Sequence, residues 1–182
     1  SPGGQRLDFK AKAKKAWVVD RRLFDQTMLR RAVQEGADLR LCSSVRKIRR
    51  EKEGSVLCLA GGEEISARIV ISAEGVSALL ARRAGIAAPQ MILSGAQVQV
   101  PFAVEDPEKV EVHLGSAPGL FAWVIPLDES SARIGLCARD RGCEHLRSFL
   151  KTDVIKKRLR GSPVALNVGG LRLGPPAATA VA

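Results

Sequence analysis

The sequence is poor in aromatic residues: its 182 residues include five phenylalanines, two tryptophans and no tyrosine. A protein that binds single-stranded nucleic acid by base stacking needs several exposed rings, so the composition argues against a module of that kind. The chain also has no run of about 18 apolar residues, the length that a transmembrane helix requires. Its opening residues lack the apolar stretch of a secretory signal, and we therefore expect a cytoplasmic protein.

Cysteine and histidine are too scattered to predict a metal site. None of the four cysteines belongs to a C-x-x-C pair, and both histidines, His113 and His145, are far in sequence from any such pair. Structural zinc sites use closely spaced ligands, so we expect no metal. We interpret the cysteines as buried thiols, in keeping with a reducing compartment. Because His113 alternates with Val112 and Leu114, we predict that its ring lies at the surface beside Glu111.

Positive charge is in excess: 29 lysines and arginines against 19 aspartates and glutamates give a net charge of +10. This balance favours anionic partners, such as phosphate ligands, polyanions or an anionic membrane surface. The basic run Arg46–Lys52 suits phosphates or anionic lipid, although such runs are often only the solvated face of a hairpin. A basic nucleic-acid-binding module is one alternative function, but no recognised motif supports it, and we expect no nucleic-acid partner.

The first half of the chain mixes helical and strand patterns. Apolar residues at helical spacing predict a helix over 24–33, with Asp20 as its cap and Gly36 at its end. A hairpin is predicted about Lys52-Glu53-Gly54. Two further runs are predicted as strands, 37–45 and 69–71.

The second half has longer alternating runs and predicts an antiparallel sheet. Two helices follow the fourth of these strand runs, Cys143–Leu150 and Val154–Leu159, and a last strand comes after them. The predicted fold class is α+β: part of an α/β layer over residues 1–87, joined to an antiparallel β-sheet domain with two helices over residues 88–182.

Three segments, in this order, resemble one family of flavoproteins. Arg21–Asp25 (R-R-L-F-D) is followed by G-A-D, Ile69–Ser77 is similar to an I-x-A-D-G-x-x-S turn, and Gly119–Pro126 (G-L-F-A-W-V-I-P) is followed by I-G-L. Together they resemble the middle of proteins of the p-hydroxybenzoate hydroxylase superfamily, above all the geranylgeranyl and digeranylgeranylglycerophospholipid reductases. The resemblance implies that the first half belongs to an FAD-binding layer and the second half to a substrate domain.

Two motifs of that family do not occur in the sequence. There is no G-x-G-x-x-G loop, whose glycines let the backbone approach a pyrophosphate, and no Gly-Asp dipeptide. We therefore expect a middle fragment of a longer flavoprotein, which alone is inactive and binds FAD weakly or not at all. Glu74 also replaces the Asp that is usual in the family. A sheet edge left without its neighbouring strands would favour self-association of such a fragment.

The resemblance also implies positions for the cofactor and the substrate, but no catalytic residue. The implied FAD-binding residues are Arg21, Val45, Glu74 and Gly75. The implied substrate-lining residues are Phe121, Trp123 and Pro126. Each position also has a simpler structural explanation. Arg21 can form a helix-surface ion pair with Asp25, and Glu74 can stabilise the positive end of a helix dipole. Val45 and the alternating aromatic residues can be ordinary core residues of a sheet.

The function that the resemblance implies is an FAD-dependent oxidoreductase. Such an enzyme would reduce isoprenoid double bonds by hydride transfer from reduced flavin, while the protein supplies binding and orientation. A flavin-dependent monooxygenase or halogenase is the alternative, because F-A-W-V-I-P is intermediate between the strand motifs of the two branches. The implied substrate is an apolar or isoprenoid small molecule, and the electron donor stays open. Peripheral contact with a membrane is compatible with that substrate and with the basic charge.

Overall fold

The computed structural model describes residues 7–11, 13, 17–86 and 91–174. It confirms the predicted α+β class, with helices and antiparallel sheets in one chain. The chain divides into two compact units. One is formed mainly by the described residues of 19–86 and the other mainly by residues 91–174.

The first unit begins with helix α1, Arg21–Gln34, close to the predicted bounds. The Asp20 carboxylate caps it by accepting the backbone N–H groups of Arg22 and Leu23, at 2.9 and 3.2 Å. Gly36, with φ of +97°, follows its end in a conformation that glycine adopts without strain. No residue of α1 is buried, so its cap and its own hydrogen bonds, rather than a core within this unit, define the helix.

A three-stranded antiparallel sheet follows in the order β1-β2-β3: Val45–Glu51, Gly54–Leu59 and Glu64–Ala67. Its first turn confirms the predicted hairpin. The short helix α2, Leu79–Arg83, comes after it and contacts β1.

Two strand predictions in this unit were wrong. Residues 37–44 form turns and irregular backbone, with Cys42 at a positive φ of 55°. The run 69–71 lies outside every strand, and Ile69 and Ile71 are 81% and 87% exposed. An apolar β-branched run becomes a strand only when another strand pairs with it, and no described strand pairs with this one.

The second unit is a five-stranded antiparallel sheet in the order β5-β6-β7-β4-β8. Its strands are β4 Met91–Pro101, β5 Glu111–Ala117, β6 Leu120–Pro126, β7 Ser131–Ala138 and β8 Ala165–Leu173. Helices α3, Gly142–Leu150, and α4, Asp153–Lys156, lie between β7 and β8 in sequence. The predicted sheet and both predicted helices are therefore confirmed.

One face of this sheet packs on the helices and forms the main core. Alternate residues of the central strands supply its inner layer, and α3 and α4 supply Leu146, Phe149 and Ile155. Phe102, immediately after β4, has no exposed surface in this core.

A polar network closes the edge of the core at β5. The Arg158 guanidinium donates to both Glu111 carboxylate oxygens at 2.8 and 3.0 Å, and it also lies 4.4 Å from the centre of the Phe102 ring. His113 Nε2 lies 3.3 Å from Glu111, and its ring meets Phe149 edge-on at 5.1 Å. The prediction that His113 lies at the surface was therefore wrong, because polar partners and an aromatic contact hold it on the helix-covered face.

The pKa of Glu111 makes part of the stability of this unit depend on pH. Burial alone would raise this pKa, but hydrogen bonds from His113 and Arg158 and the charge of Arg158 lower it from 4.5 to about 2. A carboxyl group whose pKa is lower in the folded state stabilises the fold above about pH 4.5 and loses that contribution as the pH falls to about 2.

We expect wild type to be more stable than Glu111→Gln near neutral pH and to lose this extra stability on acidification. Because the side chain is partly exposed, the difference in free energy of unfolding should shrink by about 2 kcal/mol between about pH 6 and pH 2. Urea unfolding of both proteins, followed by circular dichroism across that range, measures it. The comparison cancels the other carboxyl groups, and a difference that stays constant with pH would refute the assignment.

Candidate functional site

Arg21 stands at the first turn of α1 and pairs with Asp25. Its Nε and Nη2 groups donate to the two carboxylate oxygens at 3.2 and 3.1 Å, and both side chains are mostly exposed. The hydrogen bonds and charge of Asp25 raise the pKa of Arg21. The alternative of a helix-surface pair is thus present. Because a guanidinium has five N–H donors, those that Asp25 leaves unused can still donate to an anion.

Val45 is the first residue of β1 and is only half-buried. Its register partner is Leu59, but the register shifts between Val45 and Lys47, so Arg46 is an extra residue in this strand. A bulge of this kind takes a residue's backbone groups out of the ladder. The bulge therefore takes backbone groups of Arg46, next to Val45, out of the ladder with β2, and the Arg46 carbonyl accepts Arg83 Nη1 at 3.4 Å.

Glu74 closes the turn that leads into α2. Its carboxylate accepts Ser72 Oγ at 2.6 Å and the backbone N–H groups of Leu80 and Ala81 at 3.0 Å each. The hydrogen bond from Ser72 and those from the backbone lower the pKa of Glu74, which keeps it ionised. With three contacts already made inside the turn, Glu74 acts here as a positioning residue.

Gly75 leaves space beside that turn. Its φ is +68°, and a Cβ built on it would have no heavy atom within 4 Å. A glycine in such a place lets another molecule come close to the backbone. Among the described residues, no hydrogen bond or ion pair joins Arg21, Val45 or Glu74 to another of these three.

These features of the first unit fit a phosphate-bearing and ribose-bearing cofactor such as FAD. Arg21 supplies charged donors, the start of β1 supplies backbone groups, and the turn at Gly75 supplies open space. Glu74 fits as the residue that fixes the turn rather than as a direct ligand, because its oxygens are largely occupied.

The face of the five-stranded sheet opposite the helices holds an aromatic pair. Phe121 and Trp123 alternate with the core residues of β6 and project from this face, with ring centres 6.2 Å apart at 71°. The indole ring lies over Gly135 of β7, the residue paired with Trp123: a Cβ at that position would be 2.6 Å from the ring and 2.6 Å from Gln97 Cβ. Only glycine allows the ring to lie flat there.

The third implied substrate residue does not share this face. Pro126 pairs with Ala132, a core residue, and is itself buried. On the open face, by contrast, the buried Trp123 Nε1 has no hydrogen-bond partner in the part of the chain that the structure describes. The structure therefore places Phe121 and Trp123 together and adds Gly135, which the sequence analysis missed. A glycine within a strand, beside a paired aromatic residue, was the available signal.

Comparison with known proteins gives relatives across nearly the whole chain. Digeranylgeranylglycerophospholipid reductase 1 of Methanopyrus kandleri is 31% identical over 96% of this chain and 50% of its own length. The corresponding reductase of Methanocaldococcus jannaschii is 30% identical over 97% of this chain and 48% of its own length. The chain thus spans about half the length of the curated relatives it matches.

Solved structures show the same fold. A geranylgeranyl bacteriochlorophyll reductase-like protein from Thermoplasma acidophilum superposes with a TM-score of 0.69 and 26% identity, covering 84% of this chain and 42% of that one. Halogenase PltM, in complex with phloroglucinol and FAD, superposes with a TM-score of 0.62 and 15% identity, over 81% of this chain and 36% of its own.

These likenesses define the class: the chain has the fold of p-hydroxybenzoate hydroxylase-like flavoproteins. The resemblance to geranylgeranyl and digeranylgeranylglycerophospholipid reductases is confirmed at about 30% identity. The sequence profile described as lycopene cyclase protein matches residues 7–132. The chain therefore belongs to the lycopene cyclase protein family. No helix among the described residues is long and apolar enough to cross a membrane.

Proposed function

We propose that the chain is part of an FAD-dependent oxidoreductase that reduces the double bonds of an isoprenoid substrate. The observation that supports this most directly is the identity of about 30% to digeranylgeranylglycerophospholipid reductases over nearly the whole chain. Because the chain spans half of those relatives and contains no G-x-G-x-x-G loop, we also propose that it acts as the middle of a longer flavoprotein.

In this proposal the first unit binds FAD. Arg21 donates to an anionic group of the cofactor, the backbone at Val45 contacts the adenine, and the turn at Gly75 admits the cofactor close to the chain. Glu74 keeps that turn in place through Ser72 and the start of α2. Reduced flavin would supply the hydride, and the second hydrogen of each saturated double bond would arrive as a proton from solvent or from an acid outside these four residues, whose role is to bind and orient the cofactor.

The second unit, in this proposal, binds the apolar chain of the substrate. Phe121 and Trp123 offer a water-excluding aromatic surface, and Gly135 keeps the indole flat against the sheet. Burial of prenyl groups on such a surface is favourable by about 25 cal/mol per Å² of apolar area. The unpartnered Trp123 Nε1 can donate to an oxygen of the substrate or the cofactor.

A flavin-dependent halogenase or monooxygenase is the second candidate. One observation in its favour is the F-A-W-V-I-P run of β6, which is intermediate between the strand motifs of the reductases and the halogenases. A second is that halogenases are among the proteins that share the fold. In that case the flavin would react with oxygen instead of reducing the substrate directly.

The decisive experiment uses the longer polypeptide that contains this segment, purified with FAD. We expect the anaerobically reduced protein to reduce a geranylgeranyl chain, raising its mass by two hydrogens for each double bond, with matching reoxidation of the flavin. A halogenated or hydroxylated product that forms only with oxygen would instead establish the second candidate. Absence of flavin from the longer protein would overturn both.

A further inference from the structure

A small pocket in the first unit is surrounded by positive charge. Arg46 and Lys47 of β1 and Arg83 of α2 line it, and Ile48, Leu80 and Ala84 complete its wall. Its volume is about 350 Å³. We call this the basic pocket. No acidic residue lines it, so three cationic residues and three apolar residues form its wall.

The cations of the basic pocket differ from three of the other arginines of the same unit. Arg21, Arg40 and Arg49 each form an ion pair with a carboxylate. In the part of the chain that the structure describes, no carboxylate pairs with the side chains of the basic pocket. The one side-chain hydrogen bond within the pocket runs from Arg83 Nη1 to the backbone carbonyl of Arg46, at 3.4 Å.

Three like charges brought together by rigid elements repel one another unless an anion lies between them. The two guanidinium groups present planar sets of donors that match phosphate oxygens, and the lysine adds a compact charge. Because the residues come from a strand and a helix, their backbone positions are fixed before any ligand arrives.

We propose that the basic pocket binds a phosphoryl group. None of the positions assigned to FAD above, Arg21, Val45 and Gly75, lines the basic pocket. The pocket is their neighbour, because Arg46 directly follows Val45 and Leu80 donates its backbone N–H to Glu74. Two sources can supply the group: a free phosphate compound in solution, or the headgroup of an anionic phospholipid. Binding of a phospholipid headgroup would hold the protein at the surface of the bilayer that contains its substrate. This second source, unlike the first, rests on the proposed function.

The first arm of the test titrates inorganic phosphate into the purified chain at about 0.15 M salt, where long-range charge effects are screened. We expect NMR amide shifts confined to residues 46–48 and 80–84. Arg83→Gln should weaken binding about tenfold, since it removes a charge-assisted contact. Arg83→Lys should recover part of the loss because it keeps the charge.

The second arm measures co-sedimentation with vesicles that contain phosphatidylglycerol, against vesicles of phosphatidylcholine alone. The pocket variant combines Arg46→Gln, Lys47→Gln and Arg83→Gln. Its matched control combines Lys151→Gln, Lys156→Gln and Lys157→Gln, exposed positions in the second unit that cause the same change in net charge. Circular dichroism verifies that both variants are folded.

Pocket-dependent binding in either arm supports the proposal, and the arm that responds identifies the source. Equal losses in the pocket variant and the control would overturn it, since general positive charge would then be the cause. Absence of binding in both arms would also overturn it. These outcomes are independent of flavin chemistry, because neither arm needs FAD or turnover.

Discussion

Phe102→Ala is expected to lower the free energy of unfolding of the second unit by about 3–5 kcal/mol, the range for a fully buried aromatic residue. The side chain has no exposed surface and belongs to the main core. Its loss would also remove the ring beneath the Arg158 guanidinium and disturb the bridge to Leu159. The cavity would therefore weaken both the core and its polar edge.

Phe121→Ala is the matched control, since it deletes the same atoms from the partly exposed face of the same sheet. We expect it to cost about 1 kcal/mol, because much less buried apolar area is lost. Urea unfolding of both variants, followed by circular dichroism, gives the comparison. Equal losses for the two variants would show that the helix-covered face is not the principal core.

Arg21→Ala is expected to weaken FAD binding by about 10- to 100-fold in the longer flavoprotein that we propose. One charge-assisted hydrogen bond contributes about 1.5–3 kcal/mol, and 1.4 kcal/mol is a factor of ten. Asp25 already occupies part of the guanidinium, but its unused donors remain available.

Arg22→Ala separates a specific contact from general charge, because Arg22 lies one residue on and about 100° around the helix. It should change FAD affinity several-fold less than Arg21→Ala. Titration of the apoprotein with FAD, read by quenching of flavin fluorescence, measures both constants. Equal losses, or no loss for Arg21→Ala, would mean that Arg21 and Asp25 form only a surface pair.

Helices and strands that are determined by residues close together in sequence were predicted correctly. Asp20 and Gly36 predicted the ends of α1, the turn about Lys52-Glu53-Gly54 predicted the β1–β2 hairpin, and alternation predicted the five-stranded sheet. Capping, turn geometry and two-residue periodicity act between near neighbours in sequence, and these can be recognised without knowing the fold.

Features that depend on distant partners were missed. The run 69–71 has strand-forming residues, but its state depends on whether another strand pairs with it. The cysteines were expected to be buried, yet Cys42 is exposed and only Cys137 is fully buried among the four. His113 was correctly placed beside Glu111 and opposite Val112 and Leu114, but its face was expected at the surface. Phe149, which contacts His113, and Arg158, which binds Glu111, follow far along the sequence.

The sequence likewise predicted some features of the candidate site and missed others. The pair Phe121 and Trp123 followed from alternation alone, whereas the need for glycine at position 135 appears only when β7 lies beside β6. The sequence already suggested that Glu74 suits the positive end of a helix dipole, but its partners, the backbone N–H groups of Leu80 and Ala81, appear only in the structure.

The two faces of β6 also bear on how this protein can change over time. Core residues and residues of the open face alternate along one strand, so a substitution at Phe121 or Trp123 can alter the open face while Ala122 and Val124 keep the core intact. Loss or gain of a single residue within the strand would exchange the two sets and push the indole towards the helices. Side chains on the open face of β6 can therefore be replaced more freely than those on its core face, whereas the number of residues in the strand is constrained by both faces.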